Sequence, residues 1–148
     1  MMESVHAAAA EIAHVLFIDV VDYSKQSTTE QSRVMASLNE SVLACSAYRV
    51  AKERGRVLAI PTGDGMALLF FDDVLAPANC ATVLKSDGLR VRMGIHSGLV
   101  QHQTDIAGAP NVVGEGINTA QRILDAGDEG HILVSAQYAN WLKQFEPW

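Results

Sequence analysis

Several features are scarce in this chain, and each shortage excludes something. No apolar run approaches the roughly 20 residues that a membrane-spanning helix needs. The longest, Val15 to Ile18 and Met66 to Phe71, have the length of buried strands. Cysteine is limited to Cys45 and Cys80, both in apolar-periodic helical stretches, which fits reduced core thiols rather than a disulfide framework. Eleven Lys and Arg stand against 17 Asp and Glu, a net charge of -6, and the cations form no stripe. A nucleic-acid backbone would be repelled over most of such a surface. Met1 to Ala10 is alanine-rich but lacks the basic start and long apolar core of a secretory leader. These absences lead us to expect a soluble, cytoplasmic protein without membrane or nucleic-acid contact.

What is present suffices for a core. Apolar residues make up 49% of the 148, an ordinary globular share, and a domain of this length buries roughly 70% of the surface its unfolded chain exposes. No repeat, low-complexity linker or Pro/Gly/Ser-rich break divides the sequence, so residues 1–148 are expected to form one domain.

The pattern predicts an alanine-rich helical lead-in, then a strand over His14 to Val21. A long helix should follow, opened by a capping box at Ser27 and Glu30, carried by Val34, Leu38, Val42 and Cys45, and stopped at Gly55. Arg56 to Pro61 and Met66 to Phe71 flank Thr62-Gly63-Asp64-Gly65, a strong hairpin signal. Val74 to Lys85 can form a helix. Val91, Met93 and Ile95 then alternate with Arg90, Arg92, Gly94 and His96 as in a half-buried strand. An irregular stretch with Gly108, Pro110, Gly114 and Gly116 precedes a helix over Ile117 to Ala126, a strand over His131 to Ser135 and a helix over Ala136 to Lys143. The order βαββαβαβα implies an α+β, ferredoxin-like α/β sandwich: a mostly antiparallel sheet with helices packed on it.

Four residues stand out chemically. Asp19 ends an apolar run, so if that strand is central its carboxylate sits at a sheet edge with little water to solvate it and needs a partner. Asp64 lies in the hairpin turn, where a rigid sheet can present it. Two such carboxylates could hold a divalent ion such as Mg²⁺, which is commonly bound by one or two carboxylates plus substrate phosphates. Equally, Asp64 satisfies Asp-Gly turn chemistry by itself, and Asp19 could cap or salt-bridge. Asn118 and Arg122, four apart, share a helix face, and a guanidinium suits phosphate; a solvated surface Arg is the bland alternative. Gly114-Glu115-Gly116 lacks the full G-x-G-x-x-G spacing. His96 and His102 should share a strand face as structural histidines rather than zinc ligands. No G-x-S-x-G or Cys/His nucleophile pattern is present.

F-I-D-V-V-D-Y-S, P-T-G-D-G, G-I-H-S-G and G-I-N-T-A-Q-R occur in one order, and from Val15 to about Leu142 the chain resembles the class III adenylate/guanylate cyclase catalytic domain. The resemblance implies that Asp19 and Asp64 hold two Mg²⁺ or Mn²⁺ ions per site, and that Asn118 and Arg122 position the ribose and meet charge at the reacting phosphate. It implies a homodimer with sites shared between protomers, converting a nucleoside triphosphate to a 3′,5′-cyclic monophosphate and pyrophosphate in intracellular signalling. Where the family reads the nucleobase, this chain carries Ile60 and Asn111, neither the adenine nor the guanine pair, which leaves ATP as the default. These departures, a short stretch between Phe71 and Leu89 and an end at Trp148 before the family's final hairpin keep a second reading open: a non-catalytic cyclase-like module that binds nucleotide or a partner. A ferredoxin-like interaction domain without nucleotide ranks last.

Overall fold

A computed structural model of the chain describes residues 10–145. At its centre lies β1 (Ala10–Val20), paired antiparallel with β3 (Gly65–Phe70) on one side and with β4 (Val91–Thr104) on the other. Next to β3 lies β2 (Val57–Pro61); β5 (Pro110–Val113) pairs antiparallel with the far end of β4, and β6 (Ile132–Val134) runs parallel to Met93–Ile95. The result is a six-stranded, mostly antiparallel sheet, an α+β fold as the element order implies.

Side chains of β1 alternate between two cores, because successive residues of a strand face opposite sides. Leu16, Ile18 and Val20 enter the larger core with Leu38 and Val42 of α1 (Thr28–Ala44), Tyr48 of α2 (Ser46–Glu53), Cys80 and Leu84 of α3 (Ala76–Ser86) and Tyr138 of α5 (Ala136–Leu142). Ala13, Val15 and Phe17 face the other way, onto Ala120 and Leu124 of α4 (Glu115–Asp125). A strand covered on both faces reads as a continuous apolar run, which is why Val15 to Ile18 carries no alternation.

The structure departs from the sequence-based expectation in four places. The helix expected from Ser27 to Gly55 is two helices, broken at Cys45, whose backbone is extended (φ −72°, ψ 123°). There Cys45 turns into the core, where its sulfur lies 2.7 Å from that of Cys80 on α3; both cysteines are buried and free. Second, the half-buried strand is buried on both faces from Met93 to Gly98, because α4 lies on its second side. Third, the irregular stretch contains ordered structure: β4 runs on to Thr104 and returns as β5. In that turn the Asp105 carboxylate accepts from the Ala107 and Ala109 N–H groups at 2.8 and 2.9 Å. Finally, Ala10 opens β1; the rest of the alanine-rich lead-in lies outside the described residues. The start of α1 is as expected: the Ser27 hydroxyl accepts from the Glu30 N–H, a cap worth about 1 kcal/mol. Among the described residues, no helix is long and apolar enough to cross a membrane.

Candidate functional site

Asp19 and Asp64 meet at one end of the sheet. In the β1–β3 ladder Asp19 sits opposite Gly65, and the Val20 N–H donates to the Asp64 carbonyl at 2.8 Å, so the hairpin turn is tied to the end of the central strand. A side chain at position 65 would run into the backbone of Ile18 and Asp19, so this approach requires glycine. Beyond β1 the chain turns through Asp22, which is left-handed (φ 56°), into a 3-10 turn over Tyr23–Lys25. Together these segments wall an open cleft of about 610 Å³ lined by Asp19, Asp64, Arg92, Asp128 and Glu129, among others.

Asp19 is buried, and its partner is a residue the sequence reading left on the solvated side of a strand. Arg92 lies directly across from it on β4 and forks its carboxylate, with Nε to Oδ1 at 3.1 Å and Nη2 to Oδ2 at 2.7 Å. The same Nη2 is 3.8 Å from Oδ1 of Asp125, the last residue of α4. Partial burial and then the charge of Asp19 hold the Asp64 carboxyl above its ordinary range, against the opposing pull of its own backbone and Arg92.

Because the pKa of Asp64 is raised on folding, its ionisation weakens the folded state as pH rises through the carboxylate range. Asp64→Asn is therefore expected to raise the melting temperature of the metal-free protein at pH 7, with the gain vanishing below about pH 4, where both forms are neutral. Thermal melts across that range check it; an unchanged or lower melting temperature at pH 7 contradicts it.

The donor set fits a hard divalent cation. Two carboxylates lining one cleft, one of them held above its ordinary range by burial and then by the charge of the other, offer the oxygen ligands such ions take. Among the described residues no group of three or more His, Cys, Asp or Glu is clustered for metal binding, so water or substrate oxygens would complete the coordination.

Asn118 and Arg122 lie on the exposed side of α4, as their spacing implies, and do not line the Asp19/Asp64 cleft. Arg122 donates to the Thr119 hydroxyl at 3.0 Å and forms no ion pair among the described residues. What holds α4 is β4. Gly94, His96 and Gly98 face it; a Cβ on Gly94 would stand 2.5 Å from the Leu124 nitrogen and 2.7 Å from the Ala120 oxygen. Buried His96 is bonded through Nε2 to the Glu115 carboxylate at 2.6 Å and through Nδ1 to the Ser135 hydroxyl at 2.8 Å, tying the starts of α4 and α5 to the sheet. His102, on the same face, reaches Glu11 at 2.7 Å. Both histidines thus have protein partners, in keeping with a structural reading.

Ile60 sits in edge strand β2, partly buried against the smaller core, and Asn111 sits in β5 opposite Gln103. Their strands lie at opposite ends of the strand order yet approach each other. Gly114 and Gly116 serve packing: a Cβ on Gly116 would stand 2.8 Å from the Gly98 carbonyl oxygen.

Residues 64–147 match the sequence profile described as the adenylate and guanylate cyclase catalytic domain. Among solved structures, the chain is similar to the adenylyl cyclase CyaB from P. aeruginosa, with TM-score 0.76, 17% identity, and 93% of this chain and 83% of that one covered. The guanylyl cyclase domain of the RhoGC fusion protein from the aquatic fungus Blastocladiella emersonii gives TM-score 0.69 and 24% identity over 93% and 88%. The guanylate cyclase domain of RhGC from Catenaria anguillulae, solved in complex with GTP, gives 0.70 and 23% over 92% and 85%. At these identities the likeness is one of fold. A search of curated protein sequences found no match.

Proposed function

Since the chain belongs to the adenylate and guanylate cyclase catalytic domain family, we propose that it is one cytoplasmic cyclase homology domain that converts a nucleoside triphosphate to a 3′,5′-cyclic monophosphate and pyrophosphate. The observation that carries this is the pairing of Asp19 and Asp64 in one cleft, with Asn118 and Arg122 exposed on a separate helix outside it. Among the described residues, the one cation lining this cleft, Arg92, is engaged by Asp19, so the cleft is half a site, and α4 of a second copy would supply the other half. The active form in this reading is a homodimer with two shared sites.

Asp19 and Asp64 would hold Mg²⁺ or Mn²⁺, two ions per site, which when bound supply Lewis acidity toward the ribose 3′-hydroxyl and neutralise the triphosphate. Asn118 offers an amide that can orient the ribose. Arg122 brings five N–H donors in a planar fork to the α-phosphoryl oxygens, where negative charge gathers as the 3′-oxygen bonds to the α-phosphorus and the bond to the bridging oxygen breaks. The 3′-hydroxyl proton leaves to solvent and pyrophosphate departs with the bonding pair. No protein nucleophile is needed.

Ile60 and Asn111 would face the base. Ile60 offers no hydrogen bond, whereas Asn111 offers both a donor and an acceptor, so the site lacks the paired contacts by which purines are strongly discriminated. The test is incubation at high protein concentration with Mn²⁺ and ATP or GTP, followed by chromatography for cyclic product and pyrophosphate. Product from the wild type that disappears in Asp64→Ala is the expected result; no product from a demonstrably dimeric sample would leave the nucleotide- or partner-binding module as the better reading.

A further inference from the structure

Cys45 and Cys80 are reactive groups that the Asp19/Asp64 cleft does not use. They stand 35 positions apart in sequence, one at the joint between α1 and α2 and the other on α3, yet their sulfurs lie 2.7 Å from each other. Both are free, and a further approach of less than about 1 Å would bring them to bonding distance. The chain leaves the helix at Cys45 and so carries that sulfur to its partner.

The surroundings make the two thiols unequal. The Cys45 thiol is held below its ordinary range, first by the hydrogen bond from Cys80 and then by the Tyr48 and Ala47 N–H groups and the charge of Arg49, against the effect of burial. The same bond, together with burial, pushes the Cys80 thiol up. Thiolate character therefore collects on Cys45 while Cys80 keeps its proton. Access then selects the reagent. Cys45 is 2% exposed and Cys80 0%, so a bulky disulfide cannot reach either sulfur in line. A cavity of about 230 Å³ opens beside the pair, lined among others by Ser46, Ala47 and Asn79, their neighbours in the chain, and it has room for a molecule of a few heavy atoms.

We propose that Cys45 and Cys80 form a peroxide-responsive dithiol, oxidised by hydrogen peroxide to an internal disulfide that pins the α1–α2 joint to α3. The Cys45 thiolate attacks one peroxide oxygen, the O–O bond breaks, and Cys45 becomes a sulfenic acid, while the departing hydroxide takes up the proton that Cys45 gave up on ionising. Cys80 then attacks the Cys45 sulfur, the S–O bond breaks, and hydroxide leaves with the Cys80 proton as a second water. Sulfur is oxidised and peroxide oxygen reduced: two thiols and one peroxide give one disulfide and two waters. Near its other end α1 is tied to the cleft, because Gln31 donates to the Tyr23 carbonyl at 2.9 Å and Tyr23 lines the cleft. The pair thus sits at the far end of the helix that braces the cleft wall.

The test exposes the reduced, folded protein to a small excess of hydrogen peroxide, then denatures it, alkylates it with iodoacetamide and measures its mass. Expected are the loss of two hydrogens, no alkylation, a peptide that joins Cys45 to Cys80, and a higher melting temperature from the crosslinked chain, all reversed by dithiothreitol. In Cys80→Ser the reaction should stop at a sulfenic acid that dimedone traps on Cys45, whereas Cys45→Ser should react about tenfold more slowly or less. A wild type that still takes up two alkyl groups, or that crosslinks only between chains, would overturn the proposal. Equal rates of disulfide formation in the folded protein and in urea would overturn it too, since the fold would then add nothing to two ordinary thiols. Dimedone capture on Cys80 in Cys45→Ser at the wild-type rate would overturn the choice of nucleophile. The wild-type peptide map decides the disulfide even where a serine variant fails to fold, and none of these readings depends on cyclase activity.

Discussion

Asp64→Ala and Arg122→Ala, each inactive alone, are expected to recover cyclisation when mixed. Loss of a metal-holding carboxylate or of the guanidinium facing the transferring phosphate should each cost on the order of 10³-fold in turnover. The carboxylate cleft and the exposed face of α4 are separate surfaces of one protomer, so a dimer that joins them does so twice, related by a two-fold axis. In a random mixture half the dimers are mixed, and each mixed dimer has one site with both residues intact and one lacking both. Recovery should therefore approach about a quarter of wild-type activity per protein. Mixed samples at rising protein concentration measure it. Activity that stays at the level of the single variants, in a mixture shown to exchange subunits, would mean that all four residues serve within one protomer, against the layout seen here.

The second large effect is on the fold itself. Gly94→Ala should lower stability by roughly 3 kcal/mol, a midpoint shift of roughly 6 to 12 °C. The added methyl would stand 2.5 Å from the Leu124 nitrogen and 2.7 Å from the Ala120 oxygen, both backbone atoms of a helix pressed on the sheet, so relief requires moving α4 as a body. Such a shift would carry Asn118 and Arg122 with it. Gly98→Ala provides the internal comparison, because there the methyl meets side-chain atoms, the Glu115 carboxylate and His96 Nε2, so the cost falls on the His96–Glu115 bond rather than on helix backbone. Equal losses in the two variants would argue against direct backbone packing at Gly94.

Much of this was legible before the structure. The Gly-Asp-Gly turn specified a hairpin because few other residues tolerate its backbone, and that hairpin brings Asp64 to Asp19. The spacing of Asn118 and Arg122 fixed their shared face once a helix was assigned. The break at Cys45 was not legible: the sequence there has neither Gly nor Pro, the apolar period runs straight through, and the extended backbone is imposed where the chain packs against α3. Period two places Arg92 on a solvated stripe, because it cannot tell a face open to water from one covered by a later helix. The β4–β5 hairpin is harder to see in the sequence, because Gly108 and Pro110 read as irregular chain, although an Asp whose carboxylate caps two backbone N–H groups is a turn signal, and Val112 and Val113 after it favour a strand.

The position of β1 has a consequence for how the chain comes together in time. Of the six described strands it is the first in chain order, yet its neighbours begin only at Gly65 and Val91, and the ladder that pairs Ala10 with Gln101 closes a loop of about 90 residues. Helices α1 and α2 and the β2–β3 hairpin can form locally beforehand, whereas the sheet's middle waits for β4. Pairings so distant in sequence place assembly in the slower range of small domains, roughly milliseconds to seconds. Until β3 and β4 are made, the apolar run Val15 to Ile18 is an unpaired strand on a nascent chain, a natural substrate for holding chaperones.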